Sequence, residues 1–125
     1  KRGFNARFYS YPILMRKFIT TEHREKERIA LMNDILDTDL LIIDDLLKGC
    51  PNSQSYRFDE FKSATTEIFW SRYDKRAPVI ITTQSSYPEI AQFDSALAGR
   101  IVEACGKRNI VSYDANSRNW RIKNS

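Results

Sequence analysis

Asp39-Leu40-Leu41-Ile42-Ile43-Asp44-Asp45-Leu46-Leu47 is the stretch on which the reading of this chain turns. A short apolar run ends there in two adjacent carboxylates. A run of this length bounded by acids predicts a strand buried on both faces of a parallel sheet. Successive side chains of a strand point to opposite faces, so Asp44 and Asp45 at its carboxyl end aim in different directions. Ligands of open α/β sheets bind beyond that end. Two charges there are costly unless a metal, a cation or water meets them. Solvated acids in a strand-end turn are the plainer alternative.

The chain around this stretch has 125 residues, 42% hydrophobic and 29% charged, which describes one ordinary folded domain rather than a disordered segment. The run from Leu40 to Ile43 is far too short to span a membrane, and no apolar signal sequence precedes it. Cys50 and Cys105 have no metal-ligand spacing and are too few for a disulfide framework, so both are expected as reduced thiols in a cytoplasmic protein, Cys105 in a helix core. A net charge of +4 permits nucleic-acid binding without requiring it. The start at Lys1, inside a structured-looking segment, suggests a processed or truncated piece of a longer protein.

Outward from the Asp-Asp strand the pattern alternates. Phe4 to Tyr11 reads as a first strand, with Phe4, Ala6 and Phe8 on one face. Pro12 suits the first turn of a helix striped by Ile13, Leu14 and Phe18. The charged segment Thr21 to Arg28 and the apolar positions Ile29, Met32, Ile35 and Leu36 read as one amphipathic helix with a wet first half. After a Gly49-Pro51-Asn52 loop, Phe58, Phe61, Thr65, Ile68, Phe69 and Arg72 mark the clearest helix. Pro78-Val79-Ile80-Ile81-Thr82-Thr83-Gln84 predicts a second buried strand, ending in hydroxyls and an amide. Pro88 opens a short helical turn. Asp94 and Gly106 are expected to cap a helix carrying Leu97, Ile101, Val102 and Cys105. Asn109 to Tyr113 reads as a last strand. The order β-α-α-β-α-β-α-β is that of an α/β layered fold with a mainly parallel sheet.

Three strand or helix ends converge in this reading: Asp44 with Asp45, Thr82 to Gln84, and Arg100. Carboxylates and hydroxyls suit Mg²⁺, which takes one or two carboxylates plus phosphate oxygens and water. A second carboxylate can polarise an attacking water, an amide can orient it, and arginine can neutralise developing phosphate charge. This is part of a nucleotide-hydrolysis constellation.

The Asp39–Leu47 run, a helix ending Trp70-Ser71-Arg72-Tyr73, the run Pro78–Gln84 and the run Gly99-Arg100-Ile101-Val102-Glu103, in that order, resemble an AAA+ ATPase core. Within it they are most similar to the DnaC/DnaI/IstB group of helicase loaders and transposition ATPases. The resemblance covers nearly the whole chain from the second core strand onward. It implies a partial AAA+ (P-loop NTPase-like) core over residues 1–125, with ATP and Mg²⁺ as cofactors. It further implies that Asp44 is the Walker B residue holding Mg²⁺ through water, and that Asp45 stands where most AAA+ proteins have a catalytic glutamate. By the same resemblance Gln84 is at sensor 1, where the group usually has asparagine. Arg100 matches the arginine finger that serves a neighbouring subunit, and Arg118 matches sensor 2, with Arg121 as its fallback. The implied partners are a replicative helicase, single-stranded DNA and further copies of the chain.

No Gly-x-x-x-x-Gly-Lys-Ser/Thr phosphate loop occurs in these residues. In the resembled fold the strand bearing it lies in mid-sheet, between the strands at 78–84 and 108–113. The basic clusters Arg16-Lys17, Arg24-Lys26-Arg28 and Lys107-Arg108 could follow a DNA backbone, but charge of alternating sign over 21–28 favours a solvated face. His23 reads as a surface residue. Tyr56, Trp70 and Trp120 could stack on bases, with packing the plainer role for Trp70. A phosphoacceptor receiver domain would need a third aspartate on a strand between Asp45 and Thr82, and that region holds one helix instead. A non-catalytic fragment that binds a loader or helicase as a regulator is the more serious rival.

Overall fold

The computed structural model describes residues 3–106 and 109–111. Strand β1 (Ala6–Ser10) leads directly into helix α1 (Tyr11–Thr20), and helix α2 (Glu25–Asp37) returns the chain to strand β2 (Leu40–Leu46). Helix α3 (Phe58–Asp74) then crosses to strand β3 (Val79–Thr83), which is followed by helices α4 (Tyr87–Phe93) and α5 (Ser95–Cys105). The three strands form one parallel sheet in the order β1-β2-β3, so the Asp-Asp strand is central.

The first strand is shorter than its sequence suggests. Tyr11 is strand-like in composition, yet it opens α1 with its side chain fully buried, because Pro12 fixes the first helical turn just after it. Tyr11, Leu14, Met15 and Phe18 fall at i, i+3, i+4 and i+7 and supply the buried stripe, while Ile13 faces outward. The segment 21–36 is not one helix. Thr21 to His23 form a turn, and α2 begins at Glu25, with Glu25 and Glu27 placed favourably at its positive N-terminal end. Arg28 reaches back from α2, donates to the Phe18 carbonyl oxygen at 2.5 Å and lies 4.0 Å over the Phe18 ring. That residue of the basic cluster is therefore committed to joining two helices.

Both caps expected around α5 are present. The Asp94 carboxylate accepts from the backbone N–H groups of Ala96 and Leu97, and Gly106 ends the helix with φ +67°, a conformation that favours glycine. Ser86 and Glu89 form a reciprocal capping box on α4. Asn109–Val111 hold no strand, and the remainder of the strand expected at 109–113 lies outside the described residues. Cys105 is partly exposed rather than in a helix core.

The core lies on one side of the sheet. Leu41, Ile43 and Leu46 of β2 are buried with residues of the helices, including Leu14, Phe18, Ile35, Ile68 and Leu97. Each such aliphatic side chain contributes roughly 1.5–3 kcal/mol of burial free energy. The opposite face carries the register neighbours Phe8, Ile42 and Ile80; Phe8 is 63% and Ile80 50% exposed, and Ile42 only partly covered. The expectation that β2 is buried on both faces is thus corrected. Parallel crossovers that step in one direction across a sheet, each right-handed, put their helices on the same face. Among the described residues nothing covers the other one. No helix among the described residues is long and apolar enough to cross a membrane.

Candidate functional site

The two acids lie where β2 leaves the sheet. Asp44 is still in register with Ser10 of β1, but pairing with β3 shifts between Ile43↔Ile81 and Leu46↔Thr83. Asp44 and Asp45 there oppose Thr82 alone, which is a β-bulge. Asp45 takes φ +61°, a left-handed conformation that aspartate tolerates better than most residues. Leu47 follows at φ +71° and Gly49 at φ +76°, and the Lys48 N–H donates to the Asp45 carbonyl oxygen at 3.0 Å, closing a tight turn.

A bulge leaves ladder groups unpaired, and a buried or crowded N–H must find another acceptor. Thr82 supplies it. Its hydroxyl accepts from the Asp45 N–H at 2.9 Å and donates to Asp44 Oδ1 at 2.5 Å. The next hydroxyl, Thr83, donates to the Leu46 carbonyl oxygen and accepts from the Ser85 N–H, both at 3.0 Å, and ties off the strand end. Asp44, Thr82 and Ser10 therefore share the carboxyl end of the same open face that carries Phe8, Ile42 and Ile80.

Asp45 turns to a different place. With Gln84, Lys48 and Glu89 it lines an open cleft of about 260 Å³. Lys48 Nζ stands 3.7 Å from Asp45 Oδ2. Glu89, held by its hydrogen bonds with Ser86, titrates below the ordinary carboxylate range. The separate aims expected for Asp44 and Asp45 are thus realised, although the left-handed bulge achieves it rather than regular strand alternation.

Arg100 stands elsewhere. On α5 it is exposed and stacks against α3, its guanidinium carbon 4.8 Å from the Tyr73 ring centre and 5.4 Å from that of Trp70. Tyr73 in turn donates its hydroxyl proton to Glu103 Oε1 at 2.7 Å. Trp70 and Tyr73 thus form a platform for an arginine. Arg118 and Arg121 lie outside the described residues, as do Lys107, Arg108 and Trp120.

The donor set at Asp44 consists of carboxylate and hydroxyl oxygens, which fits a hard divalent cation and no soft one. Among the described residues no group of three or more His, Cys, Asp or Glu side chains could enclose a metal by itself. Lys48 escapes sequence reading: it pairs with Asp45 across a turn, signalled only by a base three residues after an acid. Thr82 stands at the strand end where the sequence places it, and the structure adds that its hydroxyl bridges the two acids.

Several solved structures share this architecture. A DNA replication initiation factor superposes with a TM-score of 0.64 at 16% identity, over 82% of this chain and 30% of that one. The AMPPCP-bound DnaA from Aquifex aeolicus gives 0.64 at 15% identity over the same shares. A replication initiator DnaA bound to AMPPCP and single-stranded DNA gives 0.62 at 16% identity, over 79% and 29%. The fold is accordingly that of a partial AAA+, P-loop NTPase-like core, and the chain spans about 30% of the length of these neighbours. No protein-family model and no curated protein matches the chain.

Proposed function

We propose that this chain is part of a nucleotide-binding AAA+ protein of DNA replication, in which the Asp44–Asp45 bulge forms the metal and water side of an ATP site. The observation that carries the reading is the Thr82-bridged pair of acids at the carboxyl end of the central strand, in a fold shared with replication initiators. Asp44 is the residue to hold Mg²⁺, through water, and the ion when bound supplies charge neutralisation for a phosphate group. Asp45 polarises the attacking water in the cleft, and the Gln84 amide, which lines the same cleft, orients it. Arg100 serves the site of a neighbouring copy, which fits its exposed place on α5, away from its own acids. Arg118 completes the set as the sensor 2 arginine.

Within this reading the finer assignment is a helicase loader of the DnaC/DnaI/IstB type. Such a protein self-associates through the AAA+ interface, engages single-stranded DNA and acts on a replicative helicase. A neighbour bound to AMPPCP and single-stranded DNA supports the ligand classes, and the block order in the sequence supports the group. The open sheet face at Phe8, Ile42 and Ile80 favours a second reading, a non-catalytic fragment that docks on a loader or helicase. Nucleotide binding separates the two. The native protein that contains this chain is titrated with ATP and Mg²⁺ by calorimetry, beside its Asp44→Asn variant. The ATPase reading expects saturable binding that the variant weakens at least tenfold in Mg²⁺ dependence. A native protein that binds no nucleotide ends that reading and leaves the docking one.

A further inference from the structure

The geometry points to Thr82 as the positioning residue that gives the two adjacent carboxylates separate tasks: its proton fixes Asp44 for a divalent cation, and its lone pair holds Asp45 out in the cleft. This rests on the reading of Asp44 as the residue on the Mg²⁺ side. In a regular strand, neighbouring side chains point to opposite faces without further help. The bulge removes that guarantee, because the extra residue leaves the ladder. One hydroxyl replaces it here. A threonine hydroxyl has one proton to give and lone pairs to accept with, and Thr82 uses both, toward Asp44 Oδ1 and the Asp45 N–H.

Each half of this clamp has a consequence. Asp44 has one oxygen fixed by Thr82, so its carboxylate keeps one orientation and presents Oδ2. Asp45 is kept in its left-handed conformation, with its carboxylate beside Lys48 rather than beside Asp44. Without the hydroxyl both acids are free to turn toward one cation, and the distinction between metal side and water side is lost. Thr83 cannot substitute, since its hydroxyl is engaged with Leu46 and Ser85.

The test uses Mn²⁺ alone, a paramagnetic stand-in for Mg²⁺, added to the full chain while amide signals are followed by nuclear magnetic resonance. In the native chain, broadening is expected first around Asp44 and Thr82. Outer-shell partners of metal ligands are typically worth about 10–100-fold in affinity. Thr82→Val is therefore expected to need at least about tenfold more Mn²⁺ and to spread the broadening toward Lys48, and Thr82→Ser to restore the native pattern. Thr82→Val that broadens like the native chain overturns the positioning role and leaves the metal reading standing. A native chain with no broadening at Asp44 overturns the metal reading and this inference with it. Amide exchange reports whether each variant is folded. Should Thr82→Val unfold, Thr82→Ser decides: native broadening supports the clamp, and a tenfold loss in a natively protected variant overturns it.

Discussion

Arg72 donates a 2.6 Å hydrogen bond to the carbonyl oxygen of Thr38, the residue that leads into the central strand. The same guanidinium donates to the carbonyl oxygens of Ile35, at the end of α2, and Pro78, at the entry to β3. One fully buried cation thus joins α3 to two chain segments, the junction of α2 with β2 and the entry to β3, that must meet for β2 and β3 to pair. Burial lowers its pKa, and the nearby Asp39 charge opposes that shift. Arg72→Met keeps the volume and removes five donors, so three carbonyl groups lose their partner. Leaving buried carbonyl oxygens without a donor costs about 1–3 kcal/mol for each one that finds no other partner. Urea unfolding is expected to show that loss, and Arg72→Lys to recover only part of it, because a point charge cannot reach three acceptors in fixed directions. A loss under about 1 kcal/mol for Arg72→Met would show that the staple is dispensable.

Tyr11 makes a second buried polar contact, between its hydroxyl and Thr65 Oγ1 at 2.8 Å, and Thr65 passes its proton to the Phe61 carbonyl oxygen at 2.6 Å. Burial raises the Tyr11 pKa well above its ordinary value of 10.0. The folded state thus prefers the neutral phenol. That contribution is complete below pH 10, where the unfolded chain also holds the proton, and is lost as pH climbs from there toward the folded pKa. Tyr11→Phe is expected to cost about 1 kcal/mol at neutral pH, where one hydrogen bond goes. It should also flatten the fall in melting temperature above pH 10. An unchanged alkaline limb in the variant would assign that fall to other groups.

Cys50 lies against the core and its thiol is pushed up to about 11 from 9.0 by burial. The sign is the same as for tyrosine: the stabilising preference for the neutral thiol is present below pH 9 and lost as pH rises toward 11. Reactivity follows the thiolate, so at pH 8 Cys50 should react with iodoacetamide about 100-fold more slowly than an ordinary thiol. Cys105, for which burial is also partial, serves as the internal comparison. Mass spectrometry of partially alkylated protein gives the order of labelling, and Cys50 labelled first would contradict the burial of its sulfur.

These residues also mark how much of the fold is legible in the amino-acid sequence. The strands β2 and β3, the start of α4 and the caps of α5 follow from local chemistry, since apolar runs, Pro88, Asp94 and Gly106 act on their own neighbours. Tyr11 is ambiguous because an aromatic residue suits a strand and a core helix position equally. The open face is hidden for a related reason: Leu40 to Ile43 are all apolar, so the run carries no alternation to show which side is covered. Arg72 at a fully buried place runs against composition and becomes intelligible only once carbonyl groups of Ile35, Thr38 and Pro78 surround it. At the site, the positions of Asp44 and Thr82 at two strand ends suffice to bring them together. The left-handed turn at Asp45 has no such local signal, because it depends on a hydroxyl from the neighbouring strand.

Arg100 carries the sharpest functional prediction. Its stacking on Trp70 and Tyr73 fixes it to the outer surface of its own subunit, where an adjoining copy could receive it. If Arg100 has the proposed role at a neighbouring copy's site, Arg100→Ala in the native protein is expected to lower ATP hydrolysis by about 10³-fold, while ATP binding by the same subunit stays unchanged. The substitution removes a cation from above Trp70, so a change in tryptophan emission reports that the stacking existed. Mixing Arg100→Ala with Asp45→Asn subunits adds a test of geometry: each supplies what the other lacks, and part of the activity should return. Loss of ATP binding in Arg100→Ala, or no recovery on mixing despite normal assembly, would mean that this arginine belongs to its own subunit's surface and not to a shared site.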